Sequence, residues 1–141
     1  DPPASPSVLE AIETSDVLVL GPGSWFTSVM PHLLVPQIVE AIMDSDALKI
    51  LTLNVAGADE TNGFSPARHL EVLAEHEPRI RFDVVLADRS FARSDPHLGT
   101  FARNLGARIV EADLAMHDGS ARHDPLRLAS AYAEVMGVHI R

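Results

Sequence analysis

Four short apolar segments, each followed by a longer amphipathic one, constrain the fold of this chain more than any other pattern. The short segments are too brief and too β-branched for helices, so they are predicted strands over residues 17–20, 49–53, 82–87 and 107–110. Strands that alternate with amphipathic helices indicate βαβ units. We therefore expect an α/β fold in which helices cover the faces of a parallel sheet.

Proline after a serine or an aspartate marks the predicted start of several helices. Proline fits the first turn, and the side chain before it can accept hydrogen bonds from the free N–H groups. These pairs are Ser5-Pro6, Ser65-Pro66, Asp95-Pro96 and Asp124-Pro125, and a further helix is predicted to start at Pro36. Gly106 is predicted to take a left-handed conformation after its helix, and Gly137 is predicted to end the last helix.

Composition limits the kind of molecule and its partners. The 141 residues suffice for a single domain with one sizeable core. A net charge of −9 argues against a nucleic-acid partner or an anionic membrane surface. No apolar run approaches membrane-spanning length, and the lack of cysteine suits the cytoplasm. The chain begins without an initiator methionine, so we expect it to be part of something longer.

The turn after the first predicted strand is the strongest candidate for a ligand site. Its Gly21-Pro22-Gly23 sequence has little side-chain bulk, so a ligand can approach the backbone, and hydroxyl groups follow at Ser24, Thr27 and Ser28. A helix that starts at Ser24 would direct free N–H groups at an anion, which indicates a phosphate. The alternative is a plain turn with Ser24 as N-cap. The glycines match neither a Walker loop nor a full dinucleotide fingerprint.

Polar side chains also occur in the loops that follow the other predicted strands. In parallel sheets these loops meet at one edge, where ligands bind. A hydroxylated ligand, or Mg²⁺ near a phosphate, could be bound by Asn54, Asp59, Glu60 and Thr61. The alternative is that these acids belong to a solvated loop tip.

Asp88 and Arg122 are two further candidates. Asp88 ends a buried strand, where its side chain either projects into the cleft or braces its own turn. Arg122 could bind a diphosphate through two parallel hydrogen bonds. The seven histidines do not fall at zinc-ligand spacing, and Ser24 lacks the sequence context of a hydrolase nucleophile.

Longer motifs give the chain a family resemblance. They are Gly-Pro-Gly-Ser-x-x-Thr-Ser-x-x-Pro from Gly21, then Asn54, Glu60-Thr-Asn-Gly-Phe-Ser65 and Arg122-His-Asp-Pro125. Together they resemble the YvcK family, the bacterial gluconeogenesis factor proteins, which are related to the 2-phospho-L-lactate transferase CofD. The resemblance extends through the whole chain, and its arginine-rich, lysine-poor composition is similar to that of the actinobacterial branch.

The resemblance implies a Rossmann-like, three-layer α/β/α fold and a cytoplasmic protein that binds UDP-sugars such as UDP-N-acetylglucosamine. It also implies a regulatory role linked to central carbon metabolism, peptidoglycan synthesis and cell shape, with no firm cofactor; a homodimer is left open. The predicted ligand- and phosphate-binding residues are Gly21, Pro22, Gly23, Ser24, Thr27, Ser28, Asn54, Glu60, Thr61, Asp88 and Arg122.

The alternative that the resemblance leaves open is a CofD-like transferase, which moves a phospho-group with the help of Mg²⁺. Family chains are much longer, and their amino-terminal half carries a second glycine-rich loop and an Asp-Asp-Gly-Gly-Ser segment that this chain lacks. The loop over 56–61 also departs from the usual Gln-Pro-Gly-Glu-Thr. We therefore expect residues 1–141 to form one α/β domain, the carboxyl-terminal half of a family member.

Overall fold

The computed structural model describes residues 5–22, 35–53, 65–116, 118 and 122–140. This part of the chain contains four strands, β1 (Val17–Leu20), β2 (Leu48–Thr52), β3 (Val84–Asp88) and β4 (Arg108–Ala112). Its helices are α1 (Pro6–Thr14), α2 (Pro36–Asp44), α3 (Pro66–His76), α4 (Arg89–Arg93), α5 (Leu98–Asn104) and α6 (Pro125–Ile140).

The four strands form one parallel sheet in the order β1-β2-β3-β4. Val17 lies opposite Leu48, Ile50 opposite Val84, and Leu86 opposite Val110. Each strand therefore pairs with the next one along the chain, which requires a helical or long connection on a face of the sheet. The predicted α/β fold with a parallel sheet is confirmed.

Side chains that alternate along the central strands build two separate cores. Leu51 and Leu53 point to the face covered by α2, α3, α4 and α5, where they pack with buried residues such as Leu70 and Ala102. Leu48 and Ile50 point to the opposite face, where α6 packs through residues including Val135. All five residues of β3 are buried, as expected for a strand covered on both faces. The fold thus has the three layers of a Rossmann-like protein.

The face of the sheet covered by α6 also carries a buried polar contact. The hydroxyl groups of Thr52 on β2 and Tyr132 on α6 lie 2.6 Å apart, and Thr52 is only 1% exposed. Burial raises the pKa of the Tyr132 phenol, although the hydrogen bond to Thr52 opposes that shift. This bond fixes α6 to the carboxyl end of β2.

Several predicted boundaries are confirmed in the structure. Helices α1, α2, α3 and α6 begin at the proline that the sequence indicates, and the Ser65 hydroxyl accepts a hydrogen bond from Arg68 N at 3.1 Å. Gly106 has φ of +78°, the predicted left-handed conformation. The predicted second, third and fourth strands are displaced by one or two residues at their ends from β2, β3 and β4.

Two predictions about helices are wrong. Residues 89–93, expected to belong to a loop, form the short helix α4, because the Asp88 carboxylate accepts a hydrogen bond from Ser90 N and so caps its first turn. The last helix does not end at Gly137 but continues to Ile140. Gly137 lacks the positive φ of a left-handed cap, since among the described glycines only Gly21 and Gly106 have it.

The end of β1 packs tightly on β2 at Gly21. This residue has φ of +76°, and a Cβ built on it would overlap the carbonyl oxygen of Thr52. The Gly21–Pro22 peptide bond is cis. Glycine is therefore required at position 21 by the fold itself, before any ligand is considered.

Replacement of Gly21 by alanine is expected to lower the free energy of unfolding by about 2 kcal/mol or more, because of the overlap and the positive φ. Gly137→Ala is the matched control: a Cβ there meets nothing within 4 Å. We expect it to stabilise helix α6 by about 0.5–1 kcal/mol. Urea denaturation measures both changes, and a Gly21→Ala variant as stable as the wild-type protein would contradict the close packing of β1 on β2.

Candidate functional site

The carboxyl ends of the four strands lie side by side along one edge of the sheet. Gly21 and Pro22 follow β1, Leu53 follows β2, and Asp88 ends β3. His123, two residues before α6, lies near Leu53 and Asp88. Parallel α/β sheets bind their ligands at this edge, which we call the carboxyl edge.

Asp88 holds two segments of the carboxyl edge together. Its Oδ2 accepts a hydrogen bond from Ser90 N at 3.2 Å, and its Oδ1 accepts one from Leu114 N at 3.0 Å. The residue is 4% exposed. Both oxygens are thus engaged by backbone N–H groups, and the carboxylate braces helix α4 against the segment after β4. Its predicted contact with a ligand stays a prediction.

Asp95 likewise connects two helices, α3 and α5, which lie on the face of the sheet opposite to α6. Its Oδ2 accepts a hydrogen bond from Ala67 N in the first turn of α3, and its Oδ1 accepts one from His97 N, just before α5. Burial alone would raise the pKa of Asp95, but hydrogen bonds from His97, Ala67 and the Ser65 hydroxyl together lower it. One carboxylate therefore supplies negative charge to the amino-terminal ends of both helices.

A short antiparallel contact fixes the segment before α6. Met116 N donates to the Arg122 carbonyl at 2.9 Å, Asp124 N donates to the Leu114 carbonyl, and Ala115 faces His123. The Asp124 carboxylate then accepts hydrogen bonds from the N–H groups of residues 126 and 127, at 2.9 and 3.4 Å. The backbone around Arg122 is consequently held in place at both ends.

The side chain of Arg122 is open to solvent. It is 71% exposed, and its Nη2 lies 3.4 Å from Asp118 Oδ2. Such an exposed ion pair contributes little to stability and can rearrange readily. The next residue along the chain, His123, lies at the carboxyl edge.

The imidazole of His123 is partly buried beside Leu53 and Asp88. Burial lowers the pKa of His123, while the Leu53 backbone carbonyl and the Asp88 carboxylate oppose that shift without reversing it. Burial of the ring therefore favours its neutral form. The sequence contains the Arg122-His123-Asp124 motif, but nothing in it reveals that the ring is buried.

The structure brings four of the predicted site residues to the carboxyl edge: Gly21, Pro22, Asp88 and Arg122. The other seven lie outside the described residues, namely Gly23, Ser24, Thr27, Ser28, Asn54, Glu60 and Thr61. Their predicted roles stay predictions. The acids that the sequence offers for Mg²⁺, Asp59 and Glu60, belong to the same undescribed part.

Within the described ranges, no group of three or more histidine, aspartate and glutamate side chains is arranged to hold a metal ion. None of the helices in that part of the chain is long and apolar enough to cross a membrane.

A cavity of about 660 Å³ opens at the opposite, amino-terminal edge of the sheet. Its lining includes Glu13, Asp16, Asp44 and Asp46. Four carboxylates around one opening repel a phosphorylated ligand, so the size of this cavity does not make it the site for such a molecule. The carboxyl edge remains the candidate.

Loss of the Asp88 carboxylate is expected to destabilise the fold even without ligand. Asp88→Ala leaves the buried Leu114 N–H without its acceptor, which costs roughly 1–3 kcal/mol. The matched control is Asp113→Ala, which removes a half-exposed partner of Arg127 and should cost about 1 kcal/mol or less. Chemical denaturation compares the two, and equal losses would contradict the bracing role of Asp88.

The lowered pKa of Asp95 predicts a pH dependence of defined sign. A carboxylate whose pKa is lower in the folded than in the unfolded protein stabilises the fold above its unfolded pKa, near 3.9, and loses this contribution as pH falls through the folded value. Asp95→Asn removes the charge while retaining the shape. We expect the wild-type protein to melt at a higher temperature than this variant at pH 6, and the difference to shrink by pH 3. A constant difference over that range would contradict the prediction.

Comparison with known proteins supplies the family. The family model of CofD, described as 2-phospho-L-lactate transferase, matches residues 1–124. A protein of Mycobacterium leprae named "Putative gluconeogenesis factor" is 43% identical over 93% of this chain. A Nostoc protein of the same name is 35% identical over 97% of it. The chain spans 37% and 34% of the length of these two relatives.

The fold has a solved counterpart. A crystal structure of protein BH3568 from Bacillus halodurans superposes with a TM-score of 0.75 at 30% sequence identity. The match covers 92% of this chain and 46% of that one, and a second structure of the same protein is described as a member of the UPF0052 family. Sequence and structure therefore agree, and the chain belongs to the CofD family, together with the gluconeogenesis factor proteins that it resembles.

Proposed function

We propose that this chain forms part of a nucleotide-sugar-binding regulatory protein, which binds UDP-sugars such as UDP-N-acetylglucosamine at the carboxyl edge. The proposed role links a phosphorylated metabolite to central carbon metabolism, peptidoglycan synthesis and cell shape in the cytoplasm. Its support is the membership of the family, the name shared by the relatives, and the distribution of charge along this edge.

The distribution of carboxylates carries the proposal. The amino-terminal ends of helices bind anions well. Here aspartate carboxylates of the chain itself accept hydrogen bonds at these ends: Asp95 at α3 and α5, Asp88 at α4, and Asp124 at α6. A phosphate at any of these helices would meet a carboxylate. The sequence places a further anion site at the Gly21-Pro22-Gly23 turn, where the predicted phosphate donors are the N–H groups of Gly23 and Ser24. The Gly-Pro-Gly turn is thus the favoured place for the diphosphate.

Arg122 supplies the opposing positive charge. Its guanidinium is exposed, planar and always protonated, which suits two parallel hydrogen bonds to a diphosphate. Since the whole chain carries a net charge of −9, a cation at the carboxyl edge favours the approach of an anion. We propose that the Arg122 guanidinium binds the diphosphate of the ligand.

The remaining predicted residues complete the proposal. Backbone N–H groups of Gly23 and Ser24 receive the phosphate, and Thr27 and Ser28 line the pocket. The loop with Asn54, Glu60 and Thr61 faces the sugar. Mg²⁺ belongs to the alternative, a CofD-like phospho-group transfer, and the regulatory proposal requires no metal.

Calorimetric titration of the complete protein with UDP-N-acetylglucosamine, without metal, tests this proposal. We expect Arg122→Ala to weaken binding about tenfold or more, because it removes charge-assisted hydrogen bonds. Gly23→Val should weaken binding by blocking the backbone of the turn. Arg108→Ala is the matched control, since this exposed arginine begins β4 at the opposite edge of the sheet.

Three outcomes separate the alternatives. Metal-independent binding that is lost in Arg122→Ala and retained in Arg108→Ala supports the proposal. Binding that both arginine variants retain contradicts the assignment of Arg122. Binding of phospholactate-like compounds alone, and only with Mg²⁺, contradicts the regulatory role and supports a transferase.

A further inference from the structure

His123 contains the one buried side-chain nitrogen at the carboxyl edge, within the described residues, that the fold leaves unused. Its Nε2 is shielded from solvent and has no hydrogen-bond partner in the part of the chain that the structure describes. Buried polar atoms in folded proteins almost always have a partner, and those that lack one need an explanation, such as a missing ligand or water.

The position of the ring is imposed by its surroundings. The backbone at His123 faces Ala115, and its chain neighbours are hydrogen-bonded to Leu114 and Met116 on the facing segment. The ring lies near the Leu53 carbonyl and the Asp88 carboxylate, at the ends of the two central strands. The backbone of His123 is therefore fixed beside the start of helix α6.

Nothing in the described fold replaces the missing partner. The Asp88 oxygens already accept hydrogen bonds from Ser90 N and Leu114 N. Asp88 also makes the surroundings of the ring negative, which disfavours a phosphate there. A hydroxyl or an amide carries no charge, so it can approach His123 without that repulsion.

We propose that Nε2 of His123 hydrogen-bonds an uncharged polar group of the bound nucleotide sugar, a hydroxyl or an amide, while Arg122 contacts its diphosphate. This inference rests on the proposed function and adds a residue that selects the ligand. The neutral form of the ring, which burial favours, agrees with such a partner, because a neutral imidazole offers one donor and one acceptor. Of these two adjacent residues, Arg122 thus recognises the charge of the ligand and His123 an uncharged part of it.

His123→Phe in the complete protein tests the proposal, because phenylalanine fills a similar volume without the nitrogen atoms. We expect the affinity for UDP-N-acetylglucosamine to fall about tenfold, since the ligand loses a buried hydrogen-bond partner. The affinity for inorganic pyrophosphate, which has no uncharged polar group, should stay within about twofold of wild type. His76→Phe, at an exposed position on α3, is the matched control and should change neither affinity.

The melting temperature without ligand separates binding from a structural role. His123→Phe also removes the hydrogen bond from the ring to the Leu53 backbone, so a lower melting temperature of the ligand-free protein measures the loss of that structural contact and not of the proposed one. His123→Gln, whose amide can still donate or accept, should recover part of the lost affinity. Equal losses of affinity for both ligands in His123→Phe would overturn the proposal and make His123 a structural residue only.

The remaining outcomes distinguish this inference from the function on which it rests. If the wild-type protein binds UDP-N-acetylglucosamine and His123→Phe binds it equally well, the inference fails and the proposed function stands. If the wild-type protein binds pyrophosphate but no UDP-sugar, the proposed function fails, and the assignment of His123 fails with it.

Discussion

Buried carboxylates that accept hydrogen bonds from backbone N–H groups hold the carboxyl edge of this sheet together. Asp88 joins β3 and α4 to the segment after β4, and Asp95 joins the first turn of α3 to the start of α5. These bonds connect segments that are distant in the chain, 26 and 28 residues apart. A hydrogen bond to a charged acceptor is stronger than one between neutral groups, so two aspartates can organise four elements.

The same aspartates restrict where the protein can bind an anion. In many α/β proteins several helix N-termini face the ligand, whereas here the described helices that follow β2, β3 and β4 receive side-chain carboxylates. The hydrogen bonds that stabilise the carboxyl edge therefore also occupy helix N-termini that could otherwise bind an anion. We propose that a phosphate binds instead at the turn after β1 and at the exposed guanidinium of Arg122.

The architecture could be predicted from the sequence because the two periodicities differ so clearly. Short β-branched runs and prolines after capping residues indicated four strands and four helix starts close to their observed positions. Helix α4 could not be predicted in this way, since five residues are too few to show a helical period. Its N-cap also depends on the orientation of the Asp88 side chain. The prediction that the last helix ends at Gly137 was wrong, because a glycine forms a left-handed cap only where the chain takes a positive φ, and Gly137 does not.

The site was predicted less completely than the fold. The parallel sheet predicted that the site lies at the carboxyl edge. The role of each side chain, however, depends on its burial and its hydrogen-bond partners, which a sequence does not display. Gly21 is needed for packing on Thr52, Asp88 is engaged by two N–H groups, and His123 carries a shielded nitrogen without a partner among the described residues. The sequence does place His123 between Arg122 and the N-cap residue Asp124, but only the structure shows that the ring is buried.

The contact between Tyr132 and Thr52 gives the molecule an optical reporter of its own. Tyr132 is the single tyrosine in the sequence, and its phenol is hydrogen-bonded against β2. The ultraviolet spectrum of that ring consequently follows the docking of helix α6, which begins directly after the Arg122–Asp124 segment. The single tryptophan, Trp25, follows the Gly-Pro-Gly turn in the sequence. The chain thus carries two distinct chromophores, Tyr132 in helix α6 and Trp25 close in sequence to the Gly-Pro-Gly turn, and both can be observed without any label.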